Sequence, residues 1–186
     1  MKTMTIRSIA GYCYESGLWK MLCDLSRQML DEQGKGLSIP MPDNVSVEGE
    51  DFRLNDAVQQ PATEFYPPEG NKQPNEAAAV WALGALVCYA SSGHYIFGGR
   101  GGAYQHSHPT VGLPVLRKQH AELTPLVQRC LCFSPQQRIG LKELHETATK
   151  GLEAARQRSR TASTPTDAST ATAVPMPDDV WPENMN

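Results

Sequence analysis

Four histidines and a glycine-rich run are the side chains that, by type and spacing, come nearest to ligand chemistry. His106-Ser107-His108, with His94 and His120 in the same region, supplies imidazoles of the kind that hold zinc or nickel. No cysteine or carboxylate at ligand spacing accompanies them, so a surface loop is the expectation. Gly98-Gly99-Arg100-Gly101-Gly102 has the composition of a phosphate cradle or of an Arg-Gly-Gly nucleic-acid segment. It is not G-x-G-x-x-G, lacks a following Lys-Ser/Thr, and occurs once. Cys130 and Cys132, two apart on an expected helix, point their thiols to different faces. No G-x-S-x-G elbow offers a Ser/Cys-His-acid hydrolase its nucleophile.

Composition bounds what else the chain can do. Its 186 residues, 40% hydrophobic and 20% charged, suit one core-forming domain with a tail. A net charge of −3 gives no general pull toward nucleic acid or anionic membrane, apart from a local basic cluster at Arg156, Arg158 and Arg160. The five cysteines are odd in number, hold no C-x-x-C pair and mostly sit among apolar residues, as small buried thiols do. A reducing, cytoplasmic setting is expected. The most apolar stretch, 77–90, is too short to cross a bilayer.

Around any site the pattern predicts a mostly helical frame. Leu18, Met21, Leu22, Leu25 and Met29 recur at helical spacing, so an amphipathic helix runs to about Gln33, where Gly34 and Gly36 end it. Val45-Ser46-Val47 and Phe52-Arg53-Leu54 flank the acidic turn Glu48 to Asp51 and read as a short β-hairpin. Residues 77–90 are apolar everywhere except Gly84, which predicts a helix enclosed by protein. The segment from Gly98 to Gly112 has no periodicity and reads as a loop. Thr124-Pro125 reads as a capped helix start, and a last helix, roughly Leu141 to Gln157, uses Leu141, Leu144, Ala148, Leu152 and Ala155. The expected divisions are a segment 1–17, a domain 18–157 and a Ser/Thr/Pro-rich tail 158–186 with too little apolar surface to order.

That order of elements carries a set of anchors: Pro42-Asp43-Asn44-Val45, Asp56-Ala57-Val58, Pro67-Pro68-Glu69, Ala79-Val80-Trp81-Ala82-Leu83-Gly84 and Ser134-Pro135-Gln136-Gln137-Arg138. In order and approximate spacing they resemble the C-terminal (lower) lobe of a protein kinase, over about residues 18–150. The resemblance implies that Asn44 and Asp56 stand where a kinase holds its magnesium ions. It also implies a structural ion pair between Glu69 and Arg138. Ile39 stands where the catalytic aspartate belongs, Leu37 and Ser38 occupy the preceding His-Arg positions, Met41 replaces the usual lysine, and Ala79 replaces the aspartate that steadies the catalytic loop. Neither a Gly-rich loop nor a strand lysine of the upper lobe is found, so that lobe is expected to be absent.

The resulting expectation is a pseudokinase-like, non-catalytic module that acts through protein–protein contact in signalling or regulation, with no cofactor. A partner or a second copy would cover the upper face near Ile39, Pro40, Met41, Phe65 and Tyr66. The tail offers a further contact in Asp178-Asp179-Val180-Trp181-Pro182-Glu183, and Ser159, Thr161, Ser163 and Thr164 are candidate phosphate acceptors beside basic residues. The alternative is a degenerate or split kinase that keeps a vestigial Mg-ATP site at Asn44 and Asp56 and needs an upper lobe in trans.

Overall fold

A computed structural model describes residues 4–33, 37–56, 62–70 and 75–162 of the chain. Its elements are β1 (Met4–Thr5), α1 (Ile6–Ile9), α2 (Glu15–Asp31), β2 (Val45–Glu48), β3 (Asp51–Leu54), α3 (Glu76–Ser92), α4 (Gly101–Ser107), α5 (Thr124–Cys130) and α6 (Leu141–Ala162), with single 3-10 turns between several of them. The architecture is mostly helical, with a small antiparallel sheet. Among the described residues, no helix is long and apolar enough to cross a membrane.

The centre is α3. Its sequence offers no polar stripe, and every residue from Ala78 to Ser91 is buried, as that pattern requires. Asn75 caps it by accepting the Ala78 backbone N–H at 2.8 Å. Gly93 ends it in the left-handed conformation, φ 77°. On one side α2 lies against α6. The stripe of α2 buries Leu18, Met21, Leu22, Leu25 and Met29, and α6 answers with Leu141, Leu144, Ala148, Leu152 and Ala155. Polar contacts across this seam include Ser26 Oγ to His145 Nδ1 at 2.9 Å and the ion pair of Glu15 with Arg158.

The hairpin forms with register Val45↔Leu54 and Glu48↔Asp51, which leaves Gly49-Glu50 as its turn. Its outer edge is met by side chains of α2. Asp24 Oδ2 accepts the Phe52 N–H, and the Gln28 amide accepts from Leu54 N while donating to Phe52 O, so two residues one helical turn apart imitate a further strand.

Five expectations need correction. The sheet has a third strand, because β1 pairs antiparallel with β2, Met4↔Val47 and Thr5↔Ser46. Residues before Leu18 therefore build part of the domain that was placed after them. The first long helix starts at Glu15 and stops at Asp31. The last one continues to Ala162, past both the expected end at Gln157 and the expected start of a disordered tail. Thr124 does not cap α5: Leu123 already has helical torsions at the end of a 3-10 turn, and the Thr124 hydroxyl accepts from Leu116 N at 3.2 Å.

The fifth concerns the expected loop from Gly98 to Gly112, which contains the 3-10 turn Ile96–Gly99 and the helix α4. Glycine weakens a helix by about 1 kcal/mol per residue, so nothing local advertises it. Tertiary contacts hold it. Gln105 is buried and accepts from Trp81 Nε1 at 3.0 Å while donating to Leu131 O at 2.8 Å, which ties α4 to α3 and to the end of α5. Gly102 lets its backbone donate to Tyr66 O at 3.0 Å, at a place where a Cβ would lie 2.2 Å from the Pro67 carbonyl carbon. Arg100 lies over the Tyr104 ring at 4.1 Å, a cation–π contact within the segment itself.

Replacing Gly102 with Ala must push two backbones apart, and is expected to cost about 2 kcal/mol or more. In a chain of this size that lowers Tm by roughly 4–8 °C. Gly112→Ala, where the added Cβ meets nothing within 4 Å, is the control and should be neutral. Equal melting temperatures for the two variants would refute the close-approach account.

Candidate functional site

Residues 37–44 lead into β2 and contain the positions singled out by sequence. Asn44 is buried, and its amide is committed within this loop: Oδ1 accepts from Met41 N at 2.7 Å and Nδ2 donates to Ile39 O at 3.0 Å. Its backbone carbonyl accepts from both Asn55 N and Asn55 Nδ2. Asn44 thus staples the loop to itself and to the end of β3. Asp56 is exposed and makes no hydrogen bond or ion pair with a described residue. No group of three His, Cys, Asp or Glu side chains able to hold a metal occurs among the described residues. The histidines also part company: His106 is exposed, His108 stacks on Tyr104 at 4.2 Å, and His120 is buried elsewhere.

The expected exposed upper face is corrected outright. Ile39 is 6% exposed, Met41 4% and Phe65 1%, Pro40 is buried, and only Tyr66 is part-exposed. Trp181 lies outside the described residues. The chain's own start is fastened to the same loop. Arg7 N donates to Pro42 O, and the Arg7 guanidinium makes a two-pronged contact with Asp43, at 2.5 Å through each of Nε and Nη2. Its remaining prong donates to Tyr95 OH at 3.0 Å. That hydrogen-bonded guanidinium holds the Asp43 carboxyl below the usual carboxylate range. Tyr95 stacks on Tyr89 with ring centroids 4.8 Å apart, and Phe65 meets both rings edge-on. Sequence reasoning missed Arg7, Asp43 and Tyr95, whose only signal is charge and aromaticity far apart in the chain.

Residues 10–14 continue as a strap across the end of α3. Gly11 N donates to Ala90 O, and Arg117 reaches back to the carbonyls of Gly11 and Ser92. His120 donates from Nε2 to Cys13 O at 3.0 Å, so in the neutral ring Nδ1 accepts from the Ser91 hydroxyl at 2.7 Å. Burial lowers the His120 pKa from its ordinary 6.5, with Arg117 acting the same way and the Cys13 carbonyl and Glu15 opposing.

The second site element is a buried guanidinium. All five N–H groups of Arg138 are used: Nε on Cys132 O, Nη1 on Glu69 Oε1 and Ala77 O, and Nη2 on Glu69 Oε2 and Phe133 O. The two contacts to the carboxylate are 2.5 and 2.6 Å. The structure thus brings Glu69 and Arg138 together across 69 residues. Beside them, Glu76 Oε1 accepts from Leu141 N and fixes the start of α6 to the start of α3.

Thiol chemistry is suppressed. All five cysteines are free, and burial pushes the Cys13 thiol up to about 11 and the Cys88 thiol up to about 12. Val115 at 76% and Phe133 at 39% are exposed elsewhere, and on the strap Tyr12 is 85% and Tyr14 83% exposed, beside Met4 at 52%. They border an open groove of about 690 Å³ between the sheet and α6, into which Ile9, Val47, Phe52 and Leu152 turn apolar surface. Lys20, Arg156 and Arg160 also line it, against Glu50 as its one acidic residue.

No family model and no curated protein matches this chain.

Glu69→Gln leaves the Arg138 charge buried without its counter-ion. Because the Glu69 side chain is 29% exposed, the expected loss sits near the low end of the usual range, about 3 kcal/mol by urea denaturation. Arg138→Lys should cost as much, since an ammonium cannot reach a carboxylate and three carbonyls from one stem. A loss below about 1 kcal/mol in both would contradict this role for the pair.

His120 gives a signed pH dependence. Its folded pKa is depressed, so its contribution is fully present above pH 6.5 and is lost as pH falls below that value, where the unfolded chain takes up the proton first. The gap in Tm between the native chain and His120→Gln should therefore narrow below pH 6.5. A gap that stays constant down to pH 5 would rule out a neutral, buried His120.

Proposed function

We propose that this chain is a non-catalytic binding module, related in element order to the lower lobe of a protein kinase, that acts through contacts with other proteins. The observation that carries the reading is the state of the loop 37–44. Where the resemblance calls for a proton acceptor stands Ile39, an apolar and buried side chain. Where it calls for a magnesium ligand, Asn44 has both ends of its amide engaged by loop backbone. A loop satisfied in this way supports a structural role: it offers neither a general base nor a preformed cation site.

The kinase likeness itself is supported by the helix, hairpin, enclosed helix, helix, helix order and by the Glu69–Arg138 pair, which fastens the segment before α3 to the connection between α5 and α6. The reading of a split kinase completed in trans is disfavoured by Arg7, which closes residues of this chain over the loop that a second lobe would have to reach. The contact surface is accordingly placed at the strap, where Tyr12 and Tyr14 hold large, mostly exposed rings beside an apolar groove. Exposed tyrosines at such density favour association, since each ring buries much area at little entropy cost.

Two measurements test this. Millimolar Mg-ATP should leave Tm unchanged, whereas binding at a hundredfold excess over Kd would add about 2.7 kcal/mol, or roughly 5–10 °C. Light scattering and cross-linking should report association, with itself or with a co-purifying protein, that Tyr12→Asp/Tyr14→Asp abolishes without lowering Tm. A nucleotide-dependent rise in Tm, or association indifferent to that double variant, would overturn the proposal.

A further inference from the structure

The groove between the sheet and α6 is bounded along one side by Leu152, Arg156, Ser159 and Arg160, so it follows the last turns of that helix. The next residue after α6, Ser163, opens a segment whose charged residues are Asp167, Asp178, Asp179 and Glu183, with no Lys, Arg or His among residues 163–186. The groove wall carries three cationic side chains and one anionic one, Glu50. Its floor is apolar, and the acidic segment has Val180-Trp181 between Asp179 and Pro182. The charges are of opposite sign, and an aromatic flanked by carboxylates matches an apolar cleft flanked by guanidinium and ammonium groups.

We infer that the groove is the docking site of the chain's own segment Asp178-Asp179-Val180-Trp181-Pro182-Glu183, with Trp181 seated against Phe52, Val47 and Leu152 and the carboxylates facing Arg156, Arg160 and Lys20. Lys20 already serves Asp24 and Asp51, so Arg156 is the cation that meets the incoming acids first.

Reach permits it. From Leu152 to the end of α6 at Ala162 is about 15 Å of helix. Trp181 follows Ala162 by 19 residues, which at coil dimensions is about 24 Å. A ligand tethered at that length is presented at millimolar effective concentration, so a segment whose free peptide binds with Kd of about 0.1 mM is about nine-tenths docked. The volume, about 690 Å³, is within the range of cavities that enclose one large ligand group. The inference deepens the binding-module reading by naming the contact surface and its resident ligand. Any partner using the groove must compete with the tail.

Tryptophan emission tests it in the full chain. Trp19 and Trp81 are 5% and 0% exposed, so they are shielded from acrylamide whatever the tail does. Subtracting the signal of full-length Trp181→Phe isolates Trp181. Docking predicts blue-shifted Trp181 emission and acrylamide quenching several-fold below that of a free peptide spanning residues 174–186. Full-length Arg156→Glu, with its Tm preserved, should bring quenching up toward the free-peptide value. Trp181 quenched like the free peptide in the native chain would overturn the inference. So would protection that appears only at concentrations where light scattering reports a dimer, which would assign the groove to a second copy. Neither failure bears on the nucleotide and tyrosine tests of the binding-module reading.

Discussion

The Arg138 guanidinium is the junction on which the helical half of the molecule depends. A guanidinium cannot shed its charge, so its burial is tolerable only if every N–H finds an acceptor. Here the acceptors come from three separate stretches: the Glu69 carboxylate, the Ala77 carbonyl at the start of α3, and the Cys132 and Phe133 carbonyls after α5. Glu76 adds a parallel link by accepting from Leu141 N. The start of the enclosed helix, the segment before it and the entry to α6 are therefore set by one cation and two carboxylates. Such a junction contributes direction more than net stability, since desolvating the ions offsets much of their attraction.

A second cation, Arg7, does the corresponding work at the other end. It joins the start of the chain to the Pro42-Asp43 turn and to Tyr95, whose ring Phe65 meets edge-on. Unlike Arg138, it is part-exposed, with a side chain 46% accessible, so salt and solvent weaken its ion pair and leave packing to carry most of the closure. The strap that follows relies on backbone groups and on neutral His120, and it leaves Tyr12 and Tyr14 facing outward.

These two closures commit several polar side chains to holding the loops they join. Asn44 is engaged in holding its loop, and burial raises the Cys13 and Cys88 thiols above their ordinary range. The apolar surface that remains outside, with cations around it, lies between the sheet and α6. A groove of that composition is complementary in charge and polarity to the acidic, aromatic segment proposed to occupy it.

Periodicity determined the frame: the uninterrupted apolar run of α3 demanded enclosure, and the stripes on α2 and α6 named their buried residues correctly, because helical spacing turns one-dimensional pattern directly into a face. The alternation around Glu48 to Asp51 similarly marked the hairpin. Local pattern carries no record of what approaches from a distance. Nothing in Met4-Thr5 announced a third strand, nothing in a glycine-rich run announced α4, and Phe65 packs on Tyr89 and Tyr95 from far along the chain. The sequence by itself determined the long helices and which of their faces are apolar. Only the tertiary structure decided which of those faces stay exposed, because that turns on long-range closures whose strength comes from desolvated charge and shape, and neither has a period.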